Sequence, residues 1–89
     1  MKRNRLPLNG LRVLDVLARH RSLSDAANEL AVTPSAVRKH VRSLEGQLGT
    51  ILVRCKPQGL ELTDEAIAGL TTLRDGFAKL EESVRAIRD

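Results

Sequence analysis

Apolar positions recur at helical spacing through most of this chain. Leu11, Leu14, Leu17 and Ala18 form a stripe that predicts a first helix from about Asn9 to Arg19, with Asn9 as its N-cap. Arg19 and Arg21 at its end complement the helix dipole. A short second helix follows, with Ser24 as N-cap, Asp25 in its first turn, and Ala26, Ala27 and Leu30 facing inward. Two adjacent alanines let another helix approach closely. Ala31-Val32-Thr33-Pro34 then breaks the pattern. Thr33 suits an N-cap, and Pro34 suits the first helical position, where its missing N–H costs nothing. A third helix is expected from Pro34 to about Leu48, stopping at Gly49. Val37, Val41, Leu44 and Leu48 make its core-facing stripe. Its other side presents Pro34, Ser35, Arg38, Lys39, Arg42 and Ser43.

The period changes at Ile51. Ile51-Leu52-Val53 favours a strand, Lys56-Pro57-Gln58-Gly59 a turn, and Leu60-Glu61-Leu62 alternates, so residues 51–62 predict a two-stranded hairpin. Thr63 then caps a last helix, with Asp64 and Glu65 in its first turn, where acids are favoured. Leu70, Leu73, Phe77, Leu80, Val84 and Ile87 step alternately by three and four, a coiled-coil spacing. Such a stripe either meets a second copy of the chain or folds back onto the chain's own first helix.

Composition narrows the options. At 89 residues, 42% apolar and 29% charged, the chain is one small domain, or one domain with a protruding element. That length leaves no room for a large enzyme with a deep cleft. One cysteine, Cys55, permits no internal disulfide, and Cys55, His20 and His40 match no zinc spacing, so neither metal nor cofactor is expected. Phe77 is the only aromatic residue, which removes the stacking platforms of most single-strand readers. No apolar run approaches a membrane span, and the basic start Met1-Lys2-Arg3-Asn4-Arg5 leads into no signal-peptide core. The expectation is a cytoplasmic protein with no membrane partner. No nucleophile–base set, paired carboxylates or glycine-rich phosphate loop is present, so it is not expected to be an enzyme.

Charge sharpens the picture. Residues 1–60 hold eleven bases against four acids, a balance of +7, whereas residues 61–89 hold four against seven, a balance of −3. The first part is suited to a polyanion. No acid occurs between Ala31 and Leu44, where Arg38, Lys39 and Arg42 stand on one side of the third helix. Cations near a helix start oppose its dipole, so their presence there calls for an anionic partner. Two short helices joined by a tight turn, the second with a basic outer face, describe a helix-turn-helix that lays its second helix in the DNA major groove. The expected base contacts are Pro34, Ser35, Arg38 and Lys39. The expected phosphate contacts are Ser24, Thr33, Arg42 and, on the hairpin, Arg54 and Lys56.

The run Ser22-Leu23-Ser24-Asp25-Ala26-Ala27-Asn28-Glu29-Leu30-Ala31-Val32-Thr33-Pro34-Ser35-Ala36-Val37 resembles the helix-turn-helix of LysR-type transcriptional regulators. Ser43-Leu44-Glu45-Gly46-Gln47-Leu48-Gly49 resembles that family's Leu-Glu-x-x-Leu-Gly segment, and Leu62-Thr63 the start of its linker helix. The resemblance covers about residues 6–88. It implies a mainly α winged helix-turn-helix over residues 1–62, followed by a linker helix over 63–89 that pairs two chains antiparallel through Leu70, Leu73, Phe77, Leu80, Val84 and Ile87. It also implies promoter DNA as the partner, and a small-molecule effector bound by a further C-terminal domain. That domain is absent from these 89 residues, so the chain is expected to be either a fragment of a longer regulator, the favoured reading, or a natural truncation. The chain departs from the family pattern at Arg38, Lys39, Val53, Cys55 and Ala66. These departures bear on base preference and wing contacts rather than on the fold. The competing reading is a protein–protein interaction module, in which the heptad helix captures a partner and DNA contact is secondary.

Overall fold

In the computed structural model, which describes residues 6–89, six elements follow one another: α1 (Leu8–His20), α2 (Leu23–Leu30), α3 (Pro34–Leu48), β1 (Val53–Lys56), β2 (Gly59–Leu62) and α4 (Asp64–Arg88). The basic run Met1–Arg5 lies outside the described residues.

Helix α1 starts ahead of the expected cap. Pro7 occupies the N-cap position, no side chain caps the helix, and the Leu11 N–H donates to the Pro7 carbonyl at 2.9 Å. The chain is therefore already wound when it reaches Asn9. Helix α2 is capped by Ser22, not Ser24. Ser22 is extended and stands three residues before Asp25, so its Oγ accepts the Asp25 N–H at 3.3 Å, leaving Ser24 exposed inside the helix. Both ends of α3 fall as expected. Thr33 Oγ1 accepts the Ala36 N–H at 3.1 Å, and Gly49, at φ 68°, closes the helix through its N–H to the Glu45 carbonyl. The left-handed turn suits Gly49 because it has no Cβ.

The three helices enclose Val13, Val16 and Leu17 from α1, Ala26 and Ala27 from α2, and Val37 and Val41 from α3. Ala26 and Ala27 are buried without residue, which is what brings α2 close to its neighbours. A second cluster joins Leu14, Ala18 and Leu44 to Leu52, Leu62 and Ala66, so it ties helices to hairpin and α4. Gly10 allows that junction: a Cβ there would sit 3.2 Å from Leu44 Cβ. Leu48, expected in the core, is instead 39% exposed. It stands on the last turn of α3 and rims an apolar groove shared with Leu11, Leu70 and Leu73.

The hairpin is shorter and tighter than expected. Val53 pairs with Leu62 and Lys56 with Gly59 in an antiparallel register, leaving Pro57-Gln58 as the turn. Ile51 and Leu52 precede the strand. Thr63 joins the base of the hairpin to α4. Its Oγ1 donates to the Ile51 carbonyl at 2.7 Å and accepts the Ala66 N–H at 3.3 Å, while its own N–H donates to the Leu52 carbonyl. The heptad stripe of α4 is divided. Leu70 and Leu73 pack on the second cluster, and Phe77 lies beneath the Arg12 guanidinium, 5.7 Å from the ring centre. Leu80 and Val84 are each 50% exposed and Ile87 80%. The part of the stripe up to Phe77 thus folds back on the chain itself, and the distal part is left exposed among the described residues.

Candidate nucleic-acid interface

Helix α3 turns Val37, Val41 and Leu44 into the core. Their burial fixes the opposite face outward, where Pro34, Ser35, Arg38, Lys39, Arg42 and Ser43 are all exposed. Burying one such aliphatic side chain contributes about 1.5–3 kcal/mol, so the orientation of α3 is set by several kcal/mol of packing before any ligand arrives. Among the described residues no carboxylate pairs with Arg38, Lys39 or Arg42. Three cations on one helix with no internal partner keep their full charge for an external anion. Thr33 and Ser24 lie exposed at the starts of α3 and α2.

The turn between α2 and α3 is short, and its Ala31 and Val32 N–H groups both bond back into α2. Ala31 adopts a left-handed conformation at φ 58°, and the Val32 N–H reaches back to the Ala27 carbonyl at 3.0 Å. At the far end of α2, Glu29 draws α1 in. Glu29 Oε2 accepts from Arg19 at 2.7 Å, and Glu29 Oε1 lies 2.7 Å from His20 Nε2. The hydrogen bond with His20, and next that with Arg19, holds the Glu29 carboxyl below the ordinary glutamate value.

The hairpin flanks α3 at its later turns. A hollow of about 400 Å³ separates them, lined by Arg38, Arg42 and Glu45 on one wall and Val53, Cys55 and Leu60 on the other. Strand alternation therefore gives the face turned to α3 to Cys55, not to Arg54. Arg54 lies on the opposite face beside Arg21, Glu61 and the acidic start of α4. Lys56 is at the tip, 3.7 Å from Glu61. Both wing cations thus lie beside Glu61, and Arg54 is on the strand face turned away from α3.

Glu45 is the residue that sequence reasoning missed. Its Oε2 accepts the backbone N–H groups of Leu52 at 2.8 Å and Val53 at 3.2 Å. One carboxylate oxygen on α3 thereby pins the first strand of the hairpin. The only signal in the sequence was its place in the Leu44-Glu45-x-x-Leu48-Gly49 segment.

The helix-turn-helix, its exposed basic face and the flanking hairpin match a known pattern. The family model described as "Bacterial regulatory helix-turn-helix protein, lysR family" matches residues 8–67. The chain belongs to the LysR family. The HTH-type transcriptional activator AmpR of Citrobacter koseri is 46% identical over 83 residues, covering 93% of this chain and 29% of that protein. The glycine cleavage system transcriptional activator of Escherichia coli (strain K12) is 42% identical over 82 residues, covering 92% and 27%. The chain thus spans less than a third of the length of these LysR-family relatives. A crystal structure of the CbnR DNA-binding domain in complex with DNA superposes with a TM-score of 0.79 at 25% identity, covering 90% of this chain and 92% of that one. The winged helix-turn-helix with a long following helix is therefore the fold of this LysR-family chain. No helix of the described residues is long and apolar enough to cross a membrane.

Proposed function

We propose that this chain binds double-stranded promoter DNA sequence-specifically, as the DNA-binding part of a bacterial LysR-type transcriptional regulator acting in the cytoplasm. The observation that carries this reading is the exposed, acid-free outer face of α3, with Arg38, Lys39 and Arg42 unpaired by any described carboxylate. Helix α3 enters the major groove. Pro34, Ser35, Arg38 and Lys39 meet base edges, and Ser24, Thr33, Arg42, Arg54 and Lys56 meet phosphates. The DNA-bound CbnR domain of the same fold supports this assignment. The role is non-catalytic, as in the regulators to which the chain is similar. Any small-molecule effector acts through a further domain.

Residues 1–62 form the DNA-binding unit, and residues 63–89 a linker helix that pairs two chains. Exposed Leu80, Val84 and Ile87 support pairing, together with the apolar groove that Leu11, Leu48, Leu70 and Leu73 line at the other end of α4. An antiparallel partner brings its distal stripe to that groove, and two-fold symmetry repeats the contact. Two recognition helices then address two half-sites about one DNA turn, or a multiple of it, apart.

A salt titration on random duplex tests the main reading. Three cationic phosphate contacts per protomer, doubled in the dimer, give a slope of log affinity against log salt of about −5. A slope near zero means that the basic face does not meet phosphates. Binding would then be secondary, and the chain would serve as an interaction module.

A further inference from the structure

Asp15 has no part in the DNA-facing surface. It lies in the middle of α1, 6% exposed, and its Oδ1 is buried without a hydrogen-bond partner among the described residues. Arg12 and Arg19 of its own helix share a hollow with it, but among the described residues the cation within ion-pair distance is Arg74 of α4, whose Nε stands 3.6 Å from that oxygen. This is an ion pair at a distance too long for a hydrogen bond. It is also the only salt bridge between α4 and the rest of the described residues. A few residues on, Arg12 lies over Phe77, and from Ala78 onward every residue of α4 is exposed. Otherwise α4 rests on α1 through Leu70 and Leu73, and apolar packing of that kind is non-directional. A buried carboxylate is costly without its cation. Arg12 and Arg19 sit on the same helix as Asp15 and stay near it at any angle of α4, so the part of that cost which depends on the angle is the part Arg74 relieves.

We propose that Asp15 and Arg74 are positioning residues, which set the angle at which α4 leaves the DNA-binding body and so the separation of two recognition helices. The second clause rests on the dimer reading above; the first does not. Beyond Phe77 the helix runs on for about 16 Å at 1.5 Å per residue. A small change of angle at Arg74 is therefore enlarged at the distal stripe, where the partner chain docks.

The chain supplies its own probe site, because Cys55 is its only cysteine and is exposed on the wing. Glu82→Cys adds a second thiol on the outward side of α4. Spin labels on both, diluted with unlabelled chain, report the wing-to-helix distance within one molecule by pulsed EPR. The wild-type background should give one narrow distribution. Arg74→Ala, at a half-exposed site that tolerates truncation, should broaden or shift it, as should the near-isosteric Asp15→Asn. Thermal melting is followed alongside: Asp15→Asn removes a buried charge, so its distribution should widen without a matching loss of melting temperature. In a second measurement, a duplex selected by the wild-type chain from a random pool is re-spaced by one base pair between half-sites. The wild-type chain should discriminate between the two spacings. In Arg74→Ala the ratio of affinities should fall towards one while single half-site affinity holds. An unchanged distance distribution in both variants overturns the proposal, and retained discrimination overturns its second clause. A wild-type chain that sediments as a monomer sinks the dimer reading and that clause with it, while the distance measurement still decides the role of the pair.

Discussion

Glu45 makes the sharpest stability prediction. Its Oε2 holds the Leu52 and Val53 N–H groups at 2.8 and 3.2 Å in a partly buried setting. Glu45→Ala leaves both donors without an acceptor, since the first residues before and within β1 have no ladder partner on that side. An unsatisfied buried donor costs about 1–3 kcal/mol, and these two are partly reachable by water, so the loss should be about 2–4 kcal/mol. A domain of this size holds only about 5–10 kcal/mol in total. The loss corresponds to a drop in melting temperature of about 10–25 °C. Glu45→Gln keeps one oxygen acceptor and forfeits the charge, and charge-assisted bonds are about twice as strong as neutral ones. Its cost should therefore be about 1 kcal/mol. Circular-dichroism melting of both variants, with exposed Glu61→Ala as control, is the assay. If Glu45→Ala melts no lower than Glu61→Ala, the bond between recognition helix and wing is not holding the hairpin, and the reasoning fails. The DNA readout follows the same logic: a loosened wing should cost Glu45→Ala affinity for random duplex even below its melting range.

Lys39→Ala should lower affinity for a selected site more than for random DNA, by about 1–3 kcal/mol; an equal loss on both would make Lys39 a phosphate contact. Arg42→Ala should weaken both and reduce the salt slope by about one per half-site. Leu80→Lys with Val84→Lys places charge in the distal stripe without touching the core, so the chain should sediment as a monomer yet melt as before; an unchanged mass refutes the pairing. Ala31→Gly relieves a left-handed alanine and should raise stability by about 1 kcal/mol, read as a higher melting temperature; no rise would mean the conformation carries no strain. Glu29, held below the ordinary glutamate value first by His20 and then by Arg19, contributes stability that is present above the ordinary value and lost as pH falls through the lowered one. Melting against pH should therefore slope less steeply there in Glu29→Gln, and identical slopes would leave the cluster without a role in stability.

The limits of α3 were legible because both carry strong local chemistry: Thr33-Pro34 at one end and Gly49 at the other. The start of α2 was less so, because Ser22 and Ser24 are both good caps, and only the backbone decides which one sits three residues before a free N–H. The basic face of α3 could be read because apolar spacing fixes what is left outside. The direction of Arg54 could not, since alternation says only that Arg54 and Cys55 face opposite ways, and which of them faces α3 depends on how the hairpin packs against that helix. Glu45 escaped for a different reason: its partners are backbone amides, which every residue possesses and no sequence pattern marks. The stripe of α4 was visible as a stripe. Where it passes from the chain's own core to open surface depends on how far α1 extends beneath it, and Arg12 over Phe77 marks that limit.

The inner and outer faces of α3 answer to different demands. Val37, Val41 and Leu44 are locked against Ala26, Ala27 and α1, where one added methyl group would be felt. Ser35, Arg38, Lys39 and Arg42 touch no described carboxylate and are exposed. Replacing them costs the fold almost nothing, since exposed substitutions usually fall within about ±0.5 kcal/mol. Evolution can therefore rewrite the address on the outer face while the inner face stays fixed. If α3 reads DNA as proposed, a gene duplicate of this chain reaches a new operator through a few surface changes, none of which has to pass through an unstable intermediate.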